Sequence, residues 1–181
     1  MAQLLRVDAS MRHTGSHSRA LAEKLVDKIL QKQSYSVIKR DLSEGVPMVD
    51  EAWIAANFTP SEERSPEHRA ALASSDALVE ELRASDVIVI ALPIYNFGVP
   101  AAFKAWIDMV TLAKETFEYT DTGPQGLLSG KTAYVIMTSG GTALSSPIDF
   151  VSPWLKHVLA FVGIENVQVI DASAVLFDEA G

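Results

Sequence analysis

The sequence has no cysteine among its 181 residues. A disulfide framework, a thiolate metal site and a cysteine nucleophile are therefore excluded. Basic residues are also in deficit, since 15 Lys and Arg against 23 Asp and Glu give a formal net charge of -8. We therefore expect no nonspecific binding to nucleic acid or to an acidic membrane. The 4 histidines form no recognisable set of metal ligands, so no metal is expected.

Long hydrophobic runs are missing as well. The longest apolar stretch, residues 87–92, is far too short to cross a bilayer. The first ten residues, MAQLLRVDAS, lack the basic and apolar regions of a signal peptide. A cytoplasmic protein without a membrane partner is expected. The length and the 48% hydrophobic content predict one globular domain over residues 1–181.

Strand patterns alternate with amphipathic helix patterns along the chain. The predicted strands are 4–7, 35–42, 87–92, 132–137 and 167–170, and the predicted helices are 21–30, a short one around Trp53, 66–83, 100–110 and one beginning at Ser152. This alternation predicts an α/β fold with a parallel sheet and helices on both faces. The second and fifth strands carry polar residues and should be edges. The prediction is therefore a flavodoxin-like, doubly wound, five-stranded sheet in the order 2-1-3-4-5.

The loop after the first strand is rich in hydroxyl groups. Ser10, Thr14, Ser16 and Ser18 supply them, and Gly15 permits a tight turn. The loop ends at a helix N-terminus, where free N–H groups and the helix dipole favour an anion. The pattern suits a phosphate, and it also fits a serine-rich loop with an ordinary N-cap.

Two further loops follow the third and fourth strands. Pro93-Ile94-Tyr95-Asn96-Phe97 places aromatic side chains where they would flank a flat ring, or else pack on the next helix. Ser139-Gly140-Gly141 allows a ligand to approach the backbone, or is a plain turn. Ligands of doubly wound sheets bind at the carboxyl ends of the central strands. Together the three loops favour a mononucleotide with a planar head group.

At this level of detail the sequence resembles the FMN-dependent NADH-quinone reductases, also called NADH-azoreductases. The resemblance covers most of the chain and rests on SMRHTGSHSRALAEKLV, PIYNFGVPAAFKAWIDMV, TFEYTDTGPQGLLSGK, SGG and LAFVGI. It implies FMN as cofactor, NADH or NADPH as electron donor, and a homodimer with two flavin sites at its interface. The FMN-binding residues that it implies are Ser10, Ser16, His17, Ser18, Pro93, Ile94, Tyr95, Asn96, Phe97, Ser139, Gly140 and Gly141.

The implied reaction is a two-electron, ping-pong hydride transfer to a quinone or an azo compound. The flavin carries the chemistry, so no catalytic side chain is assigned. We hypothesise that Phe117 and Tyr119 form an aromatic substrate wall, reaching toward the flavin site of the neighbouring subunit, the alternative being that Phe117 only anchors its loop. Phe161 either completes that wall or belongs to the core. The main alternative is a flavodoxin-type carrier of single electrons without a substrate pocket. A receiver-like domain would need clustered acidic residues at the first strand end, where only Asp8 occurs.

Three departures from the family pattern limit what the resemblance implies. Ile94 stands where the family usually has methionine, and residues 142–144 stand where it has an aromatic side chain. Both thin the pocket wall and leave substrate preference open. The family also continues into a closing helix, which we expect beyond Gly181.

Overall fold

Seven strands form two sheets in the computed structural model, which describes residues 2–172. The strands are β1 (Gln3–Asp8), β2 (Ser36–Asp41), β3 (Val87–Pro93), β4 (Phe117–Thr120), β5 (Gly123–Gly126), β6 (Thr132–Thr138) and β7 (Asn166–Asp171). The larger sheet has 5 parallel strands in the order β2-β1-β3-β6-β7. This confirms the predicted order, with β2 and β7 at the edges, because the hairpin strands β4 and β5 stand outside it.

The helices are α1 (His17–Lys32), α2 (Glu51–Phe58), α3 (Pro66–Ala84), α4 (Ala101–Val110) and α5 (Val151–Phe161). Ser65 caps α3 by accepting a hydrogen bond from the His68 N–H at 3.2 Å, as its position before a proline predicts. The predicted start of α5 is one residue late. The Asp149 carboxylate, rather than Ser152, accepts from the first N–H groups of that helix.

Alternate residues of the central strands face opposite sides of the sheet. Leu5 and Ile90 lie in one hydrophobic cluster with buried residues of α2, α3, α4 and α5. Leu4 and Val89 lie in a second, smaller cluster with Ala22 and Val26 of α1. Both faces are therefore covered by helices, as the near-continuous apolar strands predict.

The segment between α4 and β6, in which the sequence pattern predicts no strand, contains a hairpin. Strands β4 and β5 pair from Phe117–Gly126 to Thr120–Gly123. The hairpin packs through its backbone on the turn that ends α5. A Cβ atom on Gly126 would lie 2.1 Å from the Gly163 nitrogen, and Gly163 itself has a φ of +98°. Gly163, directly after the last turn of α5, thus has the left-handed backbone typical of a helix C-terminus.

Gly126→Ala is expected to destabilise the protein by about 1–3 kcal/mol, because the added methyl group must push two backbone segments apart. Gly141→Ala is the matched control, since a Cβ there meets no atom within 4 Å. Thermal unfolding of the two variants checks the prediction. Equal melting temperatures would show that the hairpin does not depend on this backbone contact.

Within residues 2–172, no helix is long and apolar enough to span a membrane. The closing helix expected from the family pattern lies outside the described residues.

Candidate active site

The three loops meet at the carboxyl edge of the sheet, after β1, β3 and β6. They enclose a cavity of about 300 Å³ lined by Ser10, Arg12, Gly15, Ser16, His17, Ser18, Pro93, Ile94, Tyr95, Thr138, Ser139 and Gly140. The structure thus brings most of the proposed FMN-binding residues to one cavity. Asn96, Phe97 and Gly141 flank it without lining it. Arg12 and Thr138 line it without having been singled out as site residues.

The first loop presents hydroxyl groups at the start of α1. The Ser16 side chain accepts from the Arg19 N–H at 3.4 Å and lies 3.3 Å from the Ser18 hydroxyl. Ser10 and Ser18 are only 3% and 2% exposed, so both hydroxyls lie in a largely dry environment. Arg12 adds a guanidinium, and none of the Asp and Glu side chains among residues 2–172 lines this cavity. These donors fit a phosphate group, because a helix N-terminus and neutral hydroxyls favour an anion.

The second loop is a tight turn around Asn96 and Phe97. Both residues have left-handed backbones, with φ of 50° and 65°. The turn is closed by two backbone hydrogen bonds between Tyr95 and Gly98, at 2.9 and 3.0 Å. The N–H groups of Asn96 and Phe97 take no part in these two bonds. A left-handed phenylalanine is strained, and such strain clusters at ligand sites. Phe97 is 56% exposed, so more than half of its surface is left unpacked by α4 and the rest of the chain.

The third loop leaves open space beside its glycines. The Ser139 hydroxyl accepts from the N–H groups of Gly141 at 3.2 Å and Thr142 at 2.7 Å. A Cβ atom on Gly140 or Gly141 would meet nothing within 4 Å. Internal crowding therefore does not require these glycines, and the space suits the close approach of a ligand.

Hydrogen bonds join the three loops to one another. The Met11 N–H donates to the Tyr95 hydroxyl at 3.3 Å, which links the first loop to the second. The Ile94 N–H donates to the Thr138 carbonyl at 2.8 Å, which links the second to the third. A flat ring held by the second loop would therefore lie in a fixed relation to a phosphate held by the first.

The three residues of the hypothesised aromatic wall lie away from this cavity. The Phe117 ring is 4.6 Å from that of Phe161 and 5.6 Å from that of Tyr119, measured between centroids. Phe161 borders a space near Thr132 and Asn166, the first residues of β6 and β7, at the opposite edge of the sheet. Phe117 is 8% exposed and Tyr119 is 76% exposed. Within one chain, the wall and the three loops are therefore separate.

A charged pair beside the first loop was missed by sequence reasoning. Arg19 donates from both terminal nitrogens to the two Asp41 oxygens at 2.6 Å. The Arg19 guanidinium holds the pKa of Asp41 well below its ordinary value of 3.8, despite the opposing effect of burial. The available signal was Asp8, a carboxylate at the carboxyl end of a strand predicted to be central.

Asp41 is expected to make the stability of the protein depend on pH. Because folding lowers its pKa, its contribution is complete above its unfolded pKa near 3.8 and is lost as pH falls toward the folded value. The free energy of unfolding of Asp41→Asn should therefore fall less steeply than that of the wild type below about pH 4. Urea unfolding over a pH series gives the slope of the unfolding free energy against pH for the wild type and for Asp41→Asn. Identical slopes would contradict the prediction.

A doubly wound parallel sheet with ligand loops after its central strands defines a flavodoxin-like protein. The sequence profile for the flavodoxin-like fold matches residues 2–180. The chain is 53% identical over 177 residues to FMN-dependent NADH:quinone oxidoreductase 1 of Colwellia psychrerythraea, covering 98% of this chain and 92% of that protein. It is 52% identical over 171 residues to the FMN-dependent NADH:quinone oxidoreductase of Thiobacillus denitrificans, covering 94% of this chain and 83% of that protein. The chain belongs to the FMN-dependent NADH:quinone oxidoreductase family.

Solved structures agree with this assignment. An azoreductase from Bacillus anthracis strain Sterne superimposes with a TM-score of 0.87 at 23% identity, covering 99% of this chain and 91% of that one. At that identity the likeness shows the fold alone. An FMN-dependent NADH-azoreductase from the Ames Ancestor strain, in complex with FMN, gives a TM-score of 0.79 at 25% identity, with coverages of 97% and 88%.

Proposed function

We propose that this chain is an FMN-dependent oxidoreductase that transfers two electrons from NADH to a quinone or an azo compound. One observation carries the proposal: residues of the hydroxyl-rich loop, of the segment Pro93 to Tyr95 and of the glycine loop line a single cavity. The relatives named FMN-dependent NADH:quinone oxidoreductase support the same cofactor, donor and acceptor class.

FMN, when bound, supplies the hydride chemistry, and the protein supplies binding, orientation and a dry site. Ser10, Ser16 and Ser18, with the neighbouring His17, would hold the phosphate at the start of α1. Pro93 to Phe97 would hold the planar ring from the second loop. Ser139, Gly140 and Gly141 would hold it from the third loop. No side chain of the chain is assigned as an acid or a base.

The proposal includes a homodimer in which each subunit completes the other's site. Phe117, Tyr119 and Phe161 lie away from the cavity of their own chain, and Tyr119 is 76% exposed, so it is available to a second copy. In that arrangement these residues form an aromatic wall beside the partner's flavin, where nicotinamide and quinone bind in turn. A cytoplasmic location is part of the proposal, because the electron donor is NADH.

Two measurements on the purified protein test the proposal. Heat-released flavin, separated by chromatography, should be FMN rather than FAD, because the first loop closes around a terminal phosphate. Added quinone should then accelerate NADH oxidation by the holoprotein. Colourless protein that takes up no FMN would refute the proposal. Bound FMN without NADH oxidation would favour the single-electron carrier.

A further inference from the structure

A buried carboxylate lies directly below the first loop. Asp8, the last residue of β1, is 0% exposed. Its oxygens lie 3.0 Å from Arg6 Nε, 3.4 Å from Arg19 Nη1 and 3.6 Å from Lys39 Nζ. Such a carboxylate is tolerated only when it is paired with cations. Since Ser10 follows two residues later, this charge lies close to the expected phosphate.

The pairing of β1 with β2 brings a second carboxylate to the same place. Asp8 and Asp41 are register partners at the carboxyl ends of the two parallel strands. The Arg19 guanidinium binds both, Asp41 through two hydrogen bonds of 2.6 Å and Asp8 at 3.4 Å. Arg19 therefore pairs with two carboxylates that would otherwise repel each other and, together with Arg6 and Lys39, offsets their charge beneath the first loop.

Arg19 also holds the first loop at its beginning. Its Nη2 donates to the Ser10 carbonyl oxygen at 2.6 Å, while its own backbone stands in the first turn of α1, after Ser16 and Ser18. Arg6 fixes that turn from below by donating to the Arg19 carbonyl oxygen at 3.2 Å and by pairing with Glu23. One side chain thus sets the position of Ser10 relative to Ser16 and Ser18.

We propose that Arg19 is a positioning residue for the cofactor phosphate, which holds the Ser10 carbonyl against α1 and shields the phosphate from Asp8 and Asp41. Arg19 acts through the loop, and Ser10, Ser16 and Ser18 make the contact. The inference rests on the proposed function, since it presumes that the first loop receives the phosphate of FMN.

The test compares FMN with riboflavin, which has the same ring system without the phosphate. Apoprotein is prepared for the wild type, Arg19→Gln and Arg19→Lys, and flavin binding is titrated by quenching of flavin fluorescence. Losing hydrogen bonds from a charged donor should weaken FMN binding by about tenfold to a hundredfold in Arg19→Gln. Riboflavin binding should change by less than about twofold. Arg19→Lys keeps the charge but not the planar guanidinium, so its affinity for FMN should lie between those of the wild type and Arg19→Gln.

Arg40→Gln is the matched control. It removes the ion pair between Arg40 and Glu81, which is also partly buried. Arg40 precedes Asp41 in β2, but its ion pair does not reach the first loop. We expect this variant to lower the melting temperature and to leave the ratio of the FMN and riboflavin dissociation constants unchanged. A purely structural role for Arg19 would produce the same pattern as Arg40→Gln.

Equal weakening of both flavins in Arg19→Gln would overturn the inference. If that variant does not fold, Arg19→Lys must shift the ratio in the same direction by a smaller factor, because it keeps the charge and loses the guanidinium geometry, and an unchanged ratio there would overturn the inference as well. Wild-type protein that binds neither flavin would instead refute the proposed function itself.

Discussion

Ser18→Glu is expected to abolish the retention of FMN. Ser18 is 2% exposed, and its hydroxyl lies 3.3 Å from that of Ser16 at the start of α1. A carboxylate there would stand beside the phosphate in a partly dry site. Two like charges about 4 Å apart repel by roughly 4 kcal/mol at an effective dielectric constant near 20, which is about a thousandfold in affinity.

Ser18→Gln separates the effect of charge from that of size. Glutamine has nearly the shape of glutamate, so it imposes the same crowding on this buried position without the charge. We expect Ser18→Gln to retain FMN at reduced affinity and Ser18→Glu to purify colourless. The flavin absorbance per protein is the readout. If Ser18→Glu purifies fully yellow, the phosphate binds elsewhere.

Phe117→Ala is expected to lower the free energy of unfolding by about 3–5 kcal/mol, as truncation of a buried phenylalanine usually does. Phe117 is 8% exposed and packs between Phe161 and Tyr119, so it anchors the hairpin on α5. This burial assigns to Phe117 the anchoring part of the hypothesised wall. Tyr119 is then the residue of the hypothesised wall that we expect to contact substrate.

Tyr119→Ala is the paired variant, because Tyr119 is 76% exposed on the same strand. We expect it to retain FMN and its melting temperature while the KM for quinone or NADH changes several-fold, since an aromatic contact contributes roughly 0.5–1.5 kcal/mol. Denaturant unfolding and steady-state kinetics on both variants provide the comparison. Unchanged kinetics in Tyr119→Ala would exclude it from the substrate wall.

Most of the large sheet could be predicted from the sequence, since its strands and helices carry local signals. Val87 to Leu92 is apolar throughout, and Ser65-Pro66 marks a helix start by itself. The hairpin could not be predicted in this way. Its second strand, Gly-Pro-Gln-Gly, has no strand pattern, and its position depends on backbone contact between Gly126 and Gly163. Contacts between residues so far apart in the chain leave no periodic signal.

The candidate site, like the fold, could be predicted from the sequence only in part. Each of its loops follows a predicted strand, so their convergence follows from topology alone. The ion network beneath the first loop was missed, because it depends on the register that places Asp8 beside Asp41. Arg19 reads in the sequence as one more polar residue of α1. Only the pairing of β1 with β2, which are far apart in the sequence, shows that Arg19 contacts both Asp8 and Asp41.

We conclude that this protein alone, without a second redox protein, takes two electrons from NADH through FMN and delivers them to a quinone. Anaerobic addition of NADH to the purified holoprotein, followed by quinone, tests it most directly. One NADH per flavin should bleach the visible flavin absorbance, and one quinone per flavin should restore it with formation of hydroquinone, without any added carrier protein. Absorbance that NADH leaves unchanged, or that only a second redox protein can restore, would contradict the account.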